Sequence, residues 1–491
     1  MALEPVDINK FLTIPKDLTK IDKEKREFLE RLQGNILKPH GRSHAAHVFI
    51  QFGDNVKQLK KEISKYAPEL TSAFRQEEQA KKWNVQDPDD QRQDGGCFVS
   101  LLLSYSGYQR LGVPEDRIPG DPNFRGGMRN SDKSYFRGAQ DGWNQQFGER
   151  VDAMVLMADN APGRLQEKIG WLKSGLMKEA LAESFKIHWG TKRVDEENQP
   201  IEWFGFRDNI GQPRIAVPEG DTAETTPKWP TLAPLNLALA EEPNPEFLGE
   251  TLRLPVDAYD AKFLPGDAGG SPTSTFGSYM AFQKLEQNVA RFRVAMNRLA
   301  EQLGEASVDE VSARAVGRRK SGEPLITGGG LNNFNYKADP LGEVCPFHAH
   351  IRKVNPRGEI YAQEYPSKIT EQDERNLQIL RRGIPYDDRS EDEKRQTSGE
   401  PPESRVGLLF ISYQRELAQF LAKLWMARSD NFVRQRVGPD PLLGRGSSGS
   451  SQEWRRNGLA VRQRLTDFVT LKGGEYLFAP SIPFLKSLGR Y

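Results

Sequence analysis

The sequence predicts an α+β protein built from two ferredoxin-like halves, each an antiparallel sheet with helices packed on one face. Three observations carry this reading. A strand, helix, strand order runs twice through the first half. A second set of strands and helices then starts afresh. Between them, Pro218 to Thr275 is rich in Pro, Gly, Thr and Glu and lacks apolar periodicity. The expected division is therefore residues 1–217, a connecting segment 218–275, and residues 276–491.

In the first half, His47 to Phe52 reads as a strand, and Val56, Leu59, Ile63 and Tyr66 fall at the three- and four-residue steps of an amphipathic helix. Cys97 to Leu103 is a short apolar run, hence a buried strand. Ala153 to Met157 reads as a strand, Leu165, Ile169 and Leu172 mark one helical face, and Ser184 to Trp189 alternates like a strand. In the second half, Ser278 to Leu285 suits a strand, and Val289, Phe292, Met296, Leu299 and Leu303 mark a helix stopped by Gly304. Val406 to Ser412 is a further strand, followed by a helix carrying Leu417, Phe420, Leu421 and Leu424. Tyr476 to Phe478 closes the sheet. The charged run Asp387 to Arg405 and the Gly/Ser-rich Gly444 to Ser451 read as solvated loops.

Composition narrows the function. Among 491 residues, 69 Lys plus Arg against 68 Asp plus Glu leave a net charge of +1, which argues against nucleic acid as partner. The N-terminal segment has neither a basic n-region nor an apolar h-region, and no stretch approaches the ~20 apolar residues of a membrane helix, so a cytoplasmic, non-membrane protein is expected. Two cysteines, Cys97 and Cys345, cannot make a disulfide framework, and any metal chemistry must draw on the 6 histidines.

Three segments carry chemistry. CPFHAHIRKVNPR gathers Cys345, His348 and His350; imidazole is the commonest neutral metal ligand, although histidines beside Pro in a basic loop are also often solvated. Zinc or non-haem iron on Cys345, His348 and His350 is one reading of this cluster. EWFGFRDNIGQP sets Asp208 among Trp203, Phe204 and Phe206, where desolvation can tune a general acid/base; a turn-forming Asp-Asn pair is the plainer reading. ILRRGIPYDD offers Arg381 and Arg382, whose fork of donors can stabilise negative charge on oxygen, or simply face water.

Together, and in this order, these segments resemble the dye-decolorizing peroxidases, a haem enzyme family of two ferredoxin-like halves. LQGNILKPHGR (32–42), SLLLSYSGYQRLGVP (100–114), GRRKSGEPL (317–325), GLLFISYQREL (407–417) and GGEYLFAPS (473–481) extend the likeness nearly end to end, and the length is similar to that of the larger members. The resemblance implies one haem b per chain, held in the second half by His350 at the end of the CPFxAH pattern, with His348 a neighbour. It implies Asp208 as the distal acid/base and Arg381, with Arg382 as fallback, as the distal guanidinium. Leu408 and Phe410 match apolar residues of the distal pocket. Asp467, in LTDFVTLKGGEY, matches the family's proximal carboxylate, while Arg318 and Arg352 match partners for the haem carboxylates. One departure stands out: where the family pattern GxxDG ends in Gly, this chain has Asn209. Asn is the residue that best tolerates the positive φ that Gly supplies, so the turn is expected to survive.

The implied activity is reduction of hydrogen peroxide and one-electron oxidation of dyes, phenolics and other bulky aromatic donors, with a mildly acidic optimum because an Asp base stays competent where His would be protonated. A non-catalytic haem carrier or sensor is the alternative, and a homo-oligomer is compatible with either.

Overall fold

The computed structural model describes residues 6–7, 9–10, 12–84, 95–131, 143, 147, 149–178, 182–220, 233–242, 275–326, 331–359, 371–432, 435–444 and 450–490. Most of the connecting segment and of Gly444 to Ser451 lies outside them.

The first half supplies strands β1 (His44–Phe52), β2 (Phe98–Leu103), β3 (Ala153–Asp159) and β4 (Ala182–Thr191), and the second supplies β5 (Phe276–Gln287), β6 (Leu380–Arg381), β7 (Ile384–Asp387), β8 (Val406–Gln414) and β9 (Val469–Ala479). Within the halves the spatial orders are β2-β3-β1-β4 and β6-β8-β5-β9, all antiparallel, with β7 also on β8. Both are ferredoxin-like. The expected two sheets fuse, because β9 pairs with β2 at Phe478 and Leu103, and Gly190 of β4 lies against Ile384 of β7 at the other side, so the strands curl into one barrel.

Side-chain alternation divides the core in two. Phe49, Leu102, Met154, Met280, Phe282, Leu409, Ile411 and Leu477 fill the barrel interior, where Phe49 and Phe282 meet edge to face at 4.8 Å. The opposite faces of the same strands pack under helices α1 (Val56–Tyr66), α2 (Pro162–Lys173), α3 (Val289–Gln302) and α4 (Val308–Val316), while α5 (His350–Val354) packs on α4 and on α6 (Leu417–Arg428), which also covers the sheet. Each buried aliphatic side chain contributes about 1.5–3 kcal/mol. Asn55 and Asn288 cap α1 and α3 by accepting N–H bonds from Gln58 and Arg291, and Gly304 follows α3 at φ 61°.

Two expectations need correction. The charged run after Asp387 is not all loop: Glu391–Gln396 forms a helix closed by a capping box between Ser390 and Glu393. The second strand of the second half comes as two pieces, β6 and β7, because Arg382 and Gly383 interrupt it, and each is too short to show a period in sequence. Gly407, at the head of β8, is needed for close approach: a Cβ there would come within 1.9 Å of the Leu285 carbonyl oxygen.

Candidate active site

The outward face of the second half's sheet forms one wall of a cavity. On β8, Leu408 and Phe410 point into it while Leu409 and Ile411 point into the barrel; their β5 partners Leu285 and Gln283 line it too. The other walls come from α5, α6 and the hairpin that carries Asp208, and the space between atoms, counted out to the mouth, is about 1640 Å³.

His350 lines this cavity from the first position of α5. Its Nδ1 is 2.6 Å from Asp440 Oδ2, which leaves Nε2 as the ring nitrogen available to the cavity. Asp440 is fully buried, and its other oxygen accepts the N–H groups of Leu442 and Leu443, so the carboxylate is fixed before it meets the ring. The carboxylate behind His350 is therefore Asp440 and not Asp467. Asp467 is absent from the cavity lining, sits at φ 66° and accepts a bond from its neighbour Thr466. Asp440 lies in a Gly-Pro-Asp-Pro turn without periodicity, and the only signal for it was a carboxylate between two prolines.

His348 and Cys345 do not join His350. His348 is buried edge-on against Trp454, 4.4 Å between ring centres, and burial pushes its imidazole down to about 3, so it is neutral. The Cys345 thiol is also buried, and burial pushes it up to about 12. Among the described residues no group of three His, Cys, Asp or Glu side chains converges as a metal site. The sequence reading that put zinc or non-haem iron on this trio has no geometric support.

On the hairpin, Asp208 Oδ1 lies 3.5 Å from Arg381 Nη1 and accepts the Asn209 N–H at 2.6 Å. Asn209 adopts φ 61°, the left-handed conformation that the missing glycine would have supplied. Arg381 also donates to the Ile210 carbonyl, and its backbone N–H to Gln212, so strand β6 and the hairpin are tied together at this pair. Arg382 points elsewhere: it is buried and donates to the carbonyls of Asn35 and Ile36 in the first half.

Arg318 lines the cavity as expected, donating to the carbonyls of Gly322 and Leu331 and to Asn332. Arg352 does not. It is fully buried, paired with Asp339 at 2.7 Å and with Glu359, and it also donates to the Cys345 carbonyl. Beside Arg318 the cavity is lined by Arg357, which sequence reasoning missed; it donates to the carbonyls of Asn332 and Phe334. Burial and neighbouring guanidiniums push Arg318 down to about 10 and Arg357 down to about 9. Among the described residues these two crowded cations meet only neutral acceptors, which fits a ligand that brings carboxylates, as a haem does, and an imidazole backed by a buried anion fits its iron.

Comparison with known proteins bears on this arrangement. Residues 31–191 match a family model described as the DyP dimeric alpha+beta barrel domain, and residues 257–431 match one described as Dyp-type peroxidase, C-terminal. The chain is 31% identical to the multifunctional dye peroxidase DyP2 of Amycolatopsis sp. (strain ATCC 39116 / 75iv2), over 95% of this chain and 97% of the relative. A dye-decolorizing peroxidase of Auricularia auricula-judae is 27% identical over 78% of this chain and 74% of its own length. Among solved structures, a DyP-type peroxidase of Anabaena sp. superposes with a TM-score of 0.78 at 31% identity, covering 95% of each chain.

Proposed function

We infer that this chain, which belongs to the dye-decolorizing (DyP-type) peroxidase family, works through three of its own side chains, His350, Asp208 and Arg381. Membership makes it a haem peroxidase that acts on dyes and aromatic donors. The observation that carries the assignment of roles is that one cavity is lined both by the His350 ring, backed by Asp440, and by the Asp208–Arg381 pair.

Haem supplies, when bound, an iron centre at which peroxide is reduced and donors are oxidised one electron at a time. We take the group to be haem b, one per chain. His350 Nε2 would hold the iron, and Asp440, by accepting from Nδ1, keeps the imidazole electron-rich. Arg318 and Arg357 would hold the haem carboxylates. With haem bound, Asp208 would accept a proton from one oxygen of hydrogen peroxide and return it to the other, so that water leaves, the haem supplying the two electrons for O–O cleavage. Arg381, beside Asp208 in the cavity lining, would stabilise the negative charge that builds on the peroxide oxygens, an effect of ~3 kcal/mol for one well-placed donor. Leu408 and Phe410 keep the cavity wall apolar, which limits water and sets the size of what approaches.

Phenolics and other bulky aromatic compounds are the proposed donors. No helix among the described residues is long and apolar enough to cross a membrane. A cytoplasmic location belongs to this reading, supported by cysteines that are both free. A homo-oligomer remains part of it as well.

Absorption spectra of the purified holoprotein test the whole. A Soret band that shifts on peroxide addition, with turnover of a dye that is fastest in mild acid, is expected. A band without turnover identifies a carrier or sensor, and no band at all removes haem from the account. Asp208→Asn should slow the peroxide step by about 10²-fold or more while the band persists.

A further inference from the structure

The hairpin bearing Asp208 is closed from within by another carboxylate. Residues 200–208 fold back on themselves through the Ile201–Arg207 bridge and the bond from the Asp208 N–H to the Pro200 carbonyl. At the tip, Gly205 takes φ 92°, which turns the Phe204 and Phe206 N–H groups inward. Glu202 receives both: Oε2 accepts from Phe204 at 2.8 Å and Oε1 from Phe206 at 2.9 Å. A third donor comes from the sheet, since Gln287 Nε2 on β5 bonds Glu202 Oε2.

Glu202, Phe204, Phe206, Asp208 and Gln287 all line the cavity. A shorter Asp or Ser could cap one of these N–H groups. The reach of Glu spans the turn and ties it to β5. Among the described residues Gln287 Oε1 is buried without a hydrogen-bond partner, so a turned amide would serve a protonated Glu202 as well as the present one serves an ionised Glu202.

We propose that Glu202 is a positioning residue for Asp208: its carboxylate locks the hairpin to β5 and so holds the Asp208 carboxylate at Arg381. The proposal rests on the reading of Asp208 as the acid/base. It also has an electrostatic side. Burial raises the proton affinity of Glu202, its three hydrogen bonds oppose that, and the charge of Asp208 adds to it. Among the described residues the other charged groups facing the hairpin include Arg193, which donates to the Glu202 carbonyl, Arg389 over the Trp203 ring, Asp195 and Glu197, which pair with Arg207, and Lys320 and Arg381. A purely structural clamp would ignore the charge at position 202, whereas a neighbour of the acid/base must alter its pH response.

The test is stopped-flow reaction of the holoenzyme with hydrogen peroxide from pH 3.5 to 8, with haem content read from the Soret band. Glu202→Ala should slow the reaction by about tenfold or more at unchanged haem content, as a small displacement of a reacting group does. Glu202→Gln keeps the shape and one accepting oxygen; it should retain most of the rate, but with the acid limb moved about one pH unit lower because a like charge is gone. The double variant Asp208→Asn/Glu202→Ala should be no slower than Asp208→Asn alone. Wild-type rate and pH profile in both Glu202 variants, or full multiplication of the losses in the double variant, overturns the proposal. A wild-type rate in Asp208→Asn instead overturns the reading of Asp208 itself, and this proposal with it. Should Glu202→Ala fail to fold, the pH profile of Glu202→Gln decides alone.

Discussion

Asp440 and His350 lie 90 positions apart in sequence and 2.6 Å apart in space, and the acid reaches the ring from a turn that also bonds it to two backbone N–H groups. Asp440→Asn preserves the cap through its amide oxygen but removes the charge. The imidazole should then push less electron density, raising the reduction potential of bound haem and slowing the peroxide reaction 10- to 100-fold, as loss of such partners commonly does. Redox titration and stopped-flow absorbance measure both. Asp467→Asn should change neither.

The two histidines of the HAH segment should separate cleanly. His350→Ala is expected to lose axial ligation, seen as a displaced and weakened Soret band on haem titration. His348→Phe keeps an aromatic ring against Trp454 and removes only a neutral imidazole, so the titration should match wild type. Loss of the band in the His348 variant alone would reverse the assignment.

Arg352 and Arg357, five positions apart, should fail in different ways. Arg352→Met leaves Asp339 and Glu359 buried without their cation and should cost about 3–5 kcal/mol of folding stability. Arg357→Ala should leave the unfolding transition of the apoprotein nearly unmoved and weaken haem retention instead, by about tenfold for one charge-assisted contact. Denaturant unfolding and haem transfer to a scavenger protein read the two effects.

Glu475 gives stability a pH dependence. Burial pushes its carboxyl up from 4.5 to about 7 even though it accepts the N–H groups of Met128 and Tyr476. Between pH 4.5 and 7 the native state therefore holds a proton that the unfolded chain has released, so this group's contribution is present in acid and declines as pH rises through that window. Glu475→Gln should remove the decline and leave the protein more stable at pH 8, on the order of 2 kcal/mol. A decline of equal slope in the variant would show that other groups cause it.

Much of this architecture was legible because periodicity survives where a strand or helix has one buried face. β1 falls where the apolar spacing put it, three residues longer at its start, and α3 begins at Val289 as expected and ends one residue short of Leu303. The pieces that escaped lack such a face. β6 and β7 are two and four residues long, and Asp440 and Arg357 sit in proline turns whose geometry depends on what packs behind them. Arg352 shows the converse: its sequence position suits a cavity, but three acceptors buried nearby capture it first. Glu202 was read only as the start of an aromatic segment, since a clamp on two N–H groups has no signature until the turn has formed.

Arg382 sends its guanidinium to the Asn35 and Ile36 carbonyls while Arg381, one residue earlier, pairs with Asp208 at the cavity. The duplicated halves are therefore not interchangeable modules. A chimera that swapped the N-terminal half for a distant relative's would have to bring along the Asn35–Ile36 carbonyls in register, or the reacting guanidinium would lose the anchor beside it. Constraint on the Asp208–Arg381 pair thus extends past the cavity to the Asn35 and Ile36 backbone, which does not line it.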